Sequence, residues 1–297
     1  MSLGNRQNFT VSAGPSMDDM HLCELYQNRR AAALMGNYMM VQAYDEAIAK
    51  RKAAKDRSKD RNSPYYPITA QELADFGFQM SDKELKDWNA LLKKEGITSP
   101  ENVIAIMATA AEECGFGTDM IEGDPNKNDN LGAGMLQLTN ADLQAKFLKE
   151  YKGLSDEEIE KINNKPGGYK KEIAEKYAQS SAAWVWGQKG NTNRIDKNGI
   201  SLENFMIANY FIQKYPIPKG WTEEQAKKYK EQNGTSATDR DLNYIRNGGN
   251  YSIKNNELVI KHYNEKTKKF EEGRRYALPT NWDKRAANYA KACKVWG

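Results

Sequence analysis

Two carboxylates nine residues apart, Glu113 and Glu122, are the residues of this chain best suited to acid–base chemistry. Glu113 closes an apolar run in which Val103, Ile106, Met107 and Ala110 fall on one helical face. It follows Ile106 by seven positions, nearly two turns, and so belongs to that apolar side, whereas Glu112 is rotated away toward water. A carboxyl group on an apolar face is costly to ionise, and burial raises its pKa. A proton donor working near neutral pH needs that property. Glu122 lies beyond a turn containing Gly115 and Gly117, in a polar loop with Asp119, Asp124 and Asp129. An acid on a helix end facing an acid on a solvated loop is what glycoside hydrolysis requires: one protonates the leaving oxygen, the other activates water or stabilises the positive ring. Spacing alone fits an ordinary surface acid on a frayed helix end equally well for Glu113, and favours an ordinary solvated loop acid for Glu122.

Other nucleophiles have weaker support. The chain has only His21 and His262, which argues against a zinc cluster and against serine or cysteine triads. Cys114, beside Glu113, reads more readily as a small buried side chain than as a nucleophile. Three cysteines far apart (Cys23, Cys114, Cys293) exclude a disulfide framework but leave room for a single bridge. No metal and no cofactor is implied.

The stretch around the acids resembles the family-19 chitinases and their phage endolysin relatives, within the lysozyme-like superfamily. Those enzymes carry an apolar helix ending in His-Glu-Ser/Thr-Gly, a second acid, and then Gly-Arg-Gly-x-Ile-Gln-Leu-Thr. Here the corresponding residues are Glu112-Glu113-Cys114-Gly115, then Glu122, then Gly132-Ala133-Gly134-Met135-Leu136-Gln137-Leu138-Thr139. The resemblance implies Glu113 as catalytic acid and Glu122 as second acid, with Gln137 and Thr139 holding substrate and the attacking water. Further along, Ala183-Trp184-Val185-Trp186 resembles the family's Trp-Phe-Trp helix, and Ile245-Arg246-Asn247-Gly248-Gly249 its Ile-Asn-Gly-Gly turn. Trp184 and Asn247 become candidate sugar contacts, although a core position is the plainer reading of either tryptophan. Arg285-Ala286-Ala287-Asn288-Tyr289 resembles the closing helix. Three positions depart from the pattern: Glu112 replaces a histidine, Ala133 an arginine and Tyr244 an asparagine.

Composition bounds the class. With 297 residues, 39% hydrophobic and 28% charged, the chain suits one large domain or two modest ones. A net charge of +4 and a pI near 8.7 suit an anionic polymer such as a cell wall without requiring one. Lysine and glutamate are mixed, with no arginine stripe, so nucleic acid is not an expected partner. No apolar segment is long enough to span a bilayer. The first residues, MSLGNRQNFTVS, show neither the basic start nor the apolar run of a signal peptide. Action at the bacterial envelope or outside the cell would then use another export route, or follow removal of a leader.

The elements that must position these residues are mostly helices. Residues 1–16 read as loosely held. Residues 17–56 favour one long helix or a helical hairpin, interrupted at Gly36, and the charged stretch 49–61 reads as its solvated end. This arm, residues 1–62, either packs on the remainder or docks a protein partner, because methionine-rich faces adapt to varied surfaces. Asn62-Ser63-Pro64-Tyr65-Tyr66-Pro67 reads as a linker, and residues 63–297 as the catalytic domain. Thr69 and Ser81 are expected helix caps, Ser81 completing a capping box with Glu84. Ser99-Pro100 is a start signal for the helix that carries Glu113. Residues 141–149 look helical, a helix starts at Ser155, one longer helix is expected over 169–186, and others over 202–215, 221–232 and 283–296. Leu258–Tyr263 alternates as a strand, with residues 266–270 turning into its partner.

The fold expected is therefore mainly α, lysozyme-like and two-lobed, with a small β element near the cleft and an N-terminal helical arm. The expected function is hydrolysis of β-1,4 bonds in peptidoglycan. The alternatives are chitin as substrate, or a wall-binding, secretion-associated component with weak or no turnover.

Overall fold

Short polar caps set where the helices of this chain begin. A computed structural model describes residues 16–55, 66–129, 131–213 and 217–297. The N-terminal arm is a hairpin of α1 (Leu22–Leu34) and α2 (Tyr38–Lys55), bent at Gly36, whose φ of 69° suits glycine. Of the two expectations for this stretch, one helix or a hairpin, the hairpin forms. Then follow α3 (Ala70–Phe76), α4 (Asp82–Lys94) and α5 (Pro100–Glu113). Thr69 and Ser81 each close a capping box, with Glu72 and Glu84, and Ser99 accepts from the Asn102 N–H with Pro100 in the first turn. The start signals read from the sequence therefore hold.

The middle of the chain contains α6 (Ala141–Lys146), a π turn at Phe147–Tyr151, α7 (Asp156–Asn163), α8 (Gly168–Lys176) and α9 (Ala178–Gln188). The single helix expected over residues 169–186 is two, broken at Tyr177 (φ −131°). Beside that break the Ala178 carbonyl accepts the Met135 N–H at 3.1 Å, so the glycine turn after Glu122 docks against it. Gly134 has to be glycine there, because a Cβ would lie 2.5 Å from Ser181 Oγ. Then come α10 (Asn191–Asn198), not expected from the sequence, α11 (Leu202–Ile212), α12 (Glu223–Asn233) and α13 (Ala237–Arg246).

Strands β1 (Tyr251–Lys254), β2 (Glu257–Asn264) and β3 (Lys269–Ala277) form an antiparallel sheet in the order β1-β2-β3, and α14 (Trp282–Trp296) closes the chain. The strand at 258–263 and its partner were legible; β1 was not. The small β element expected from the sequence forms as this three-stranded sheet. The sheet is built by residues 251–277, and the isolated bridge Ile121–Ala133 lies beside Glu122.

The core is organised around α5. Every residue from Pro100 to Ala111 is buried, so the helix is enclosed on all sides rather than amphipathic as its periodicity suggested. Several of its buried polar groups are paired, although Glu101 Oε2 has no hydrogen-bond partner among the described residues. Asn102 Nδ2 donates to Asp196 at 2.7 Å, Trp186 Nε1 donates to Asn102, and Thr109 Oγ1 returns to the Ala105 carbonyl. The arm has a small core of its own (Leu22, Leu25, Ala32, Tyr44, Ile48) and is bound to the rest at several points. Tyr26 OH donates to Glu101 at 2.8 Å, Lys52 pairs with Glu101, Arg30 pairs with Glu203, and a disulfide joins Cys23 to Cys293. At the hairpin bend Leu34, Met35, Tyr38 and Met39 are 57–86% exposed. The expected domain boundary at 62/63 and most of the linker lie outside the described residues, as do residues 1–15 and residues 56–61 of the charged stretch. No described helix is long and apolar enough to cross a membrane.

Candidate active site

Glu113 is the last residue of α5, and Cys114 caps the helix. Its side chain keeps 14% of its exposure, turned inward toward α14, where Arg285 Nη2 donates to Oε1 at 2.7 Å. Arg285 is fixed in turn: Nη1 donates to Asn209 Oδ1 of α11 at 2.8 Å, and Nε donates to the Thr280 carbonyl at 2.7 Å. Asn209 is itself buried and tied to the Phe205 carbonyl. The guanidinium is therefore held from three directions, so its bond to Glu113 has little freedom to swing away.

Burial pushes the Glu113 carboxyl above the usual carboxylate range, against the opposing pull of Arg285, while the charges of Glu112 and Glu122 push the same way as burial. Two effects oppose here and desolvation prevails. Glu112, which the helical wheel placed in water, is half-buried and close enough for its charge to count.

Glu122 is exposed, on the loop the sequence assigned to it. It is not free to wander. Its N–H donates to the Gly132 carbonyl at 3.0 Å, and its Oε2 accepts the Gly132 N–H at 2.9 Å. The loop thus doubles back at the Ile121–Ala133 bridge and brings the Gly132–Thr139 turn beside the second acid. Gln137 sits in that turn with φ +45°, a left-handed conformation uncommon for a side-chain-bearing residue. Its Nε2 donates to the Asp119 and Gly134 carbonyls, each at 3.2 Å. Its Oε1 is buried and has no hydrogen-bond donor among the described residues. Thr139 is exposed and donates to the Gln137 carbonyl at 2.9 Å.

The remaining sequence candidates fall elsewhere. Trp184 is 5% exposed and packs on Phe147 with ring centroids 5.4 Å apart, so it offers no face for a sugar and belongs to the core. Trp186 is also buried. Asn247 ends α13 and lines a 490 Å³ cavity shared with Tyr26, Arg30 and Asp196. Tyr26 bonds Glu101, twelve residues and roughly 18 Å of helix from Glu113, so this cavity belongs to the opposite end of α5. Asn247 is thus not brought together with the acids. Cys114 is buried, donates to the Ala110 carbonyl, and burial pushes its thiol up to about 12, which removes it as a nucleophile.

The departures from the family pattern have structural explanations in two cases. Ala133 is fully buried, and Tyr244 OH donates to the Lys261 carbonyl while its ring covers Gly249, locking the turn onto β2. A cavity of 810 Å³ between α4 and the α8–α9 break is bordered by Gly117 and Met120, from the segment that joins the two acids, although neither acid lines it.

The sequence did not reveal Asn209 or the part played by Arg285. An arginine in an amphipathic closing helix gives no local sign of a partner 172 residues away. Among the described residues, no group of three or more His, Cys, Asp or Glu side chains is arranged to hold a metal ion. No family model matches the chain, and no curated protein and no solved structure is significantly similar to it.

Proposed function

We propose that this chain is a glycoside hydrolase of lysozyme-like, two-lobed arrangement that cleaves β-1,4 bonds of peptidoglycan. The observation that carries the reading is Glu113: a carboxyl at the end of a core helix, buried, raised in pKa, braced by Arg285 and sensing the charge of Glu122. In its protonated form Glu113 gives its proton to the glycosidic oxygen as the bond to the anomeric carbon breaks. Arg285 then stabilises the carboxylate left behind. Glu122 takes a proton from a water that attacks the anomeric carbon from the opposite face, with Gln137 and the exposed Thr139 hydroxyl, on the turn beside it, orienting that water. Such an inverting reaction requires the two carboxyl groups roughly 6.5–9.5 Å apart.

Two further observations favour a wall polymer outside the cytoplasm. The Cys23–Cys293 disulfide suits an oxidising compartment. The mild positive charge suits an anionic wall more than neutral chitin. Digestion of purified sacculi and of chitin oligomers, with products weighed by mass spectrometry, tests turnover and bond choice together. Fragments from sacculi with a new reducing end are expected; fragments from chitin alone would move the substrate assignment.

The exposed apolar bend of the arm favours a second reading, a wall- or secretion-associated component that engages a protein partner through Leu34, Met35, Tyr38 and Met39. Binding to sacculi without release of reducing sugar would select it.

A further inference from the structure

Lys170 is a lysine with 1% of its side-chain exposure, and every partner of its ammonium lies in one short loop. Nζ donates to the Glu122 carbonyl at 3.1 Å, to the Asp124 carbonyl at 2.9 Å and to Asp129 Oδ1 at 2.7 Å. Three donors meet three acceptors, so the buried charge is fully used. The turn before Lys170 is shaped to the same loop. The Gly167 N–H donates to the Asn126 carbonyl at 3.0 Å, and a Cβ on Gly167 would lie 2.1 Å from the Pro125 carbonyl oxygen. A Cβ on Gly168 would lie 2.8 Å from Asn128 Oδ1, and Asn128 Nδ2 donates to the Asn163 carbonyl at 2.6 Å.

Glu122 is consequently gripped on both sides of its α-carbon. Its N–H is held by Gly132 and its carbonyl by Lys170. A glycine-flanked polar loop of this composition has little apolar area with which to hold itself in place. Desolvating an ammonium to serve such a loop is expensive, and mere solubility would be met by leaving the lysine in water.

We infer that Lys170 is a positioning residue: its ammonium sets the place of the loop that carries Glu122, and thereby the separation between the two acids. The catalytic consequence rests on the hydrolase reading, whereas the positioning does not. An acid displaced by about 1 Å loses on the order of 10² in rate, and the loss falls on kcat because a misplaced base weakens an interaction made in the transition state.

The test compares full-length wild type with Lys170→Met, Lys170→Arg and Asp129→Asn. Asp129 is partly exposed and asparagine keeps an acceptor for Lys170, so its variant keeps the fold even if Lys170→Met does not. Amide hydrogen exchange over residues 121–133 is expected to rise about tenfold or more in Lys170→Met, and less in Asp129→Asn, with α5 and α14 still protected. On a glycan that wild type cleaves, kcat is expected to fall about 10–100-fold with KM within about threefold, and Lys170→Arg to recover part of it. Unchanged exchange over 121–133, exchange raised equally throughout the molecule, or an unchanged kcat would each overturn the inference. Should wild type turn over neither sacculi nor chitin oligomers, the hydrolase reading fails by itself and the exchange result still decides the role of Lys170.

Discussion

Glu113 is under two opposed influences, a buried surrounding that favours the neutral carboxyl and a guanidinium that favours the charged one, with the first prevailing. A proton donor of this kind loses activity as pH rises through its raised pKa, so the alkaline limb of kcat/KM is expected to report Glu113. Its share of stability follows the same sign. A carboxyl raised in the fold stabilises it below the ordinary carboxylate range, and that contribution is lost as pH climbs through the raised value. Removing Arg285 takes away the one group that lowers the pKa. In Arg285→Met the alkaline limb is therefore expected to move to higher pH, while kcat/KM at the optimum falls on the order of 10² through lost orientation. A limb that stays in place, or moves down, would separate Arg285 from the acid; a pH–rate profile reads it. The sequence disclosed the acid and its apolar setting because both are local. It could not disclose Arg285 or Asn209, whose bonds are made only when α5, α11 and α14 pack. Trp184 shows the converse: its neighbours in sequence matched a sugar-binding helix, yet Phe147 encloses it.

Helix α5 starts and ends on local chemistry. Ser99 accepts the Asn102 N–H and donates to Asp196 Oδ1 at 2.7 Å, so one hydroxyl caps α5 and secures α10. Ser99→Ala is expected to cost about 1 kcal/mol for the cap, and up to about 3 kcal/mol if Asp196 is left short of a donor. Thermal or denaturant unfolding measures it, and a loss near zero would contradict the double role. Caps at Thr69, Ser81, Ser99 and Ser155 were all readable in advance because a cap needs only the next three residues. The break at Tyr177 was not, since the group that packs against it, the turn at Gly134 and Met135, comes from 42–43 residues earlier. The helix α10 also escaped notice: its residues, Asn191–Asn198, are mostly polar, and Asn102 holds it through the Thr192 carbonyl and Asp196.

The arm is tied into the molecule as a whole. The Cys23–Cys293 bond closes a loop with a sequence separation of 270, fastening α1 to the helix that carries Arg285. Cross-linking so long a loop restricts the unfolded chain strongly, and its loss is expected to cost about 2–5 kcal/mol. Reduction, or Cys23→Ser with Cys293→Ser, should lower the melting temperature accordingly; an unchanged melting temperature would show the Glu101 and Glu203 contacts to be sufficient. Composition indicated a helical, globular chain, and a single bridge was left open. Which cysteines pair depends on the arm folding back onto α14, which no local pattern records.

The most direct test of the account is Glu113→Gln assayed on sacculi and chitin oligomers beside wild type, with circular dichroism and melting to show that the fold is kept. Glutamine preserves the shape of the side chain and can still accept from Arg285, but it has no proton to give. The account predicts a folded protein that releases no new reducing ends from a glycan that wild type cleaves. Cleavage by Glu113→Gln at the wild-type rate would contradict it.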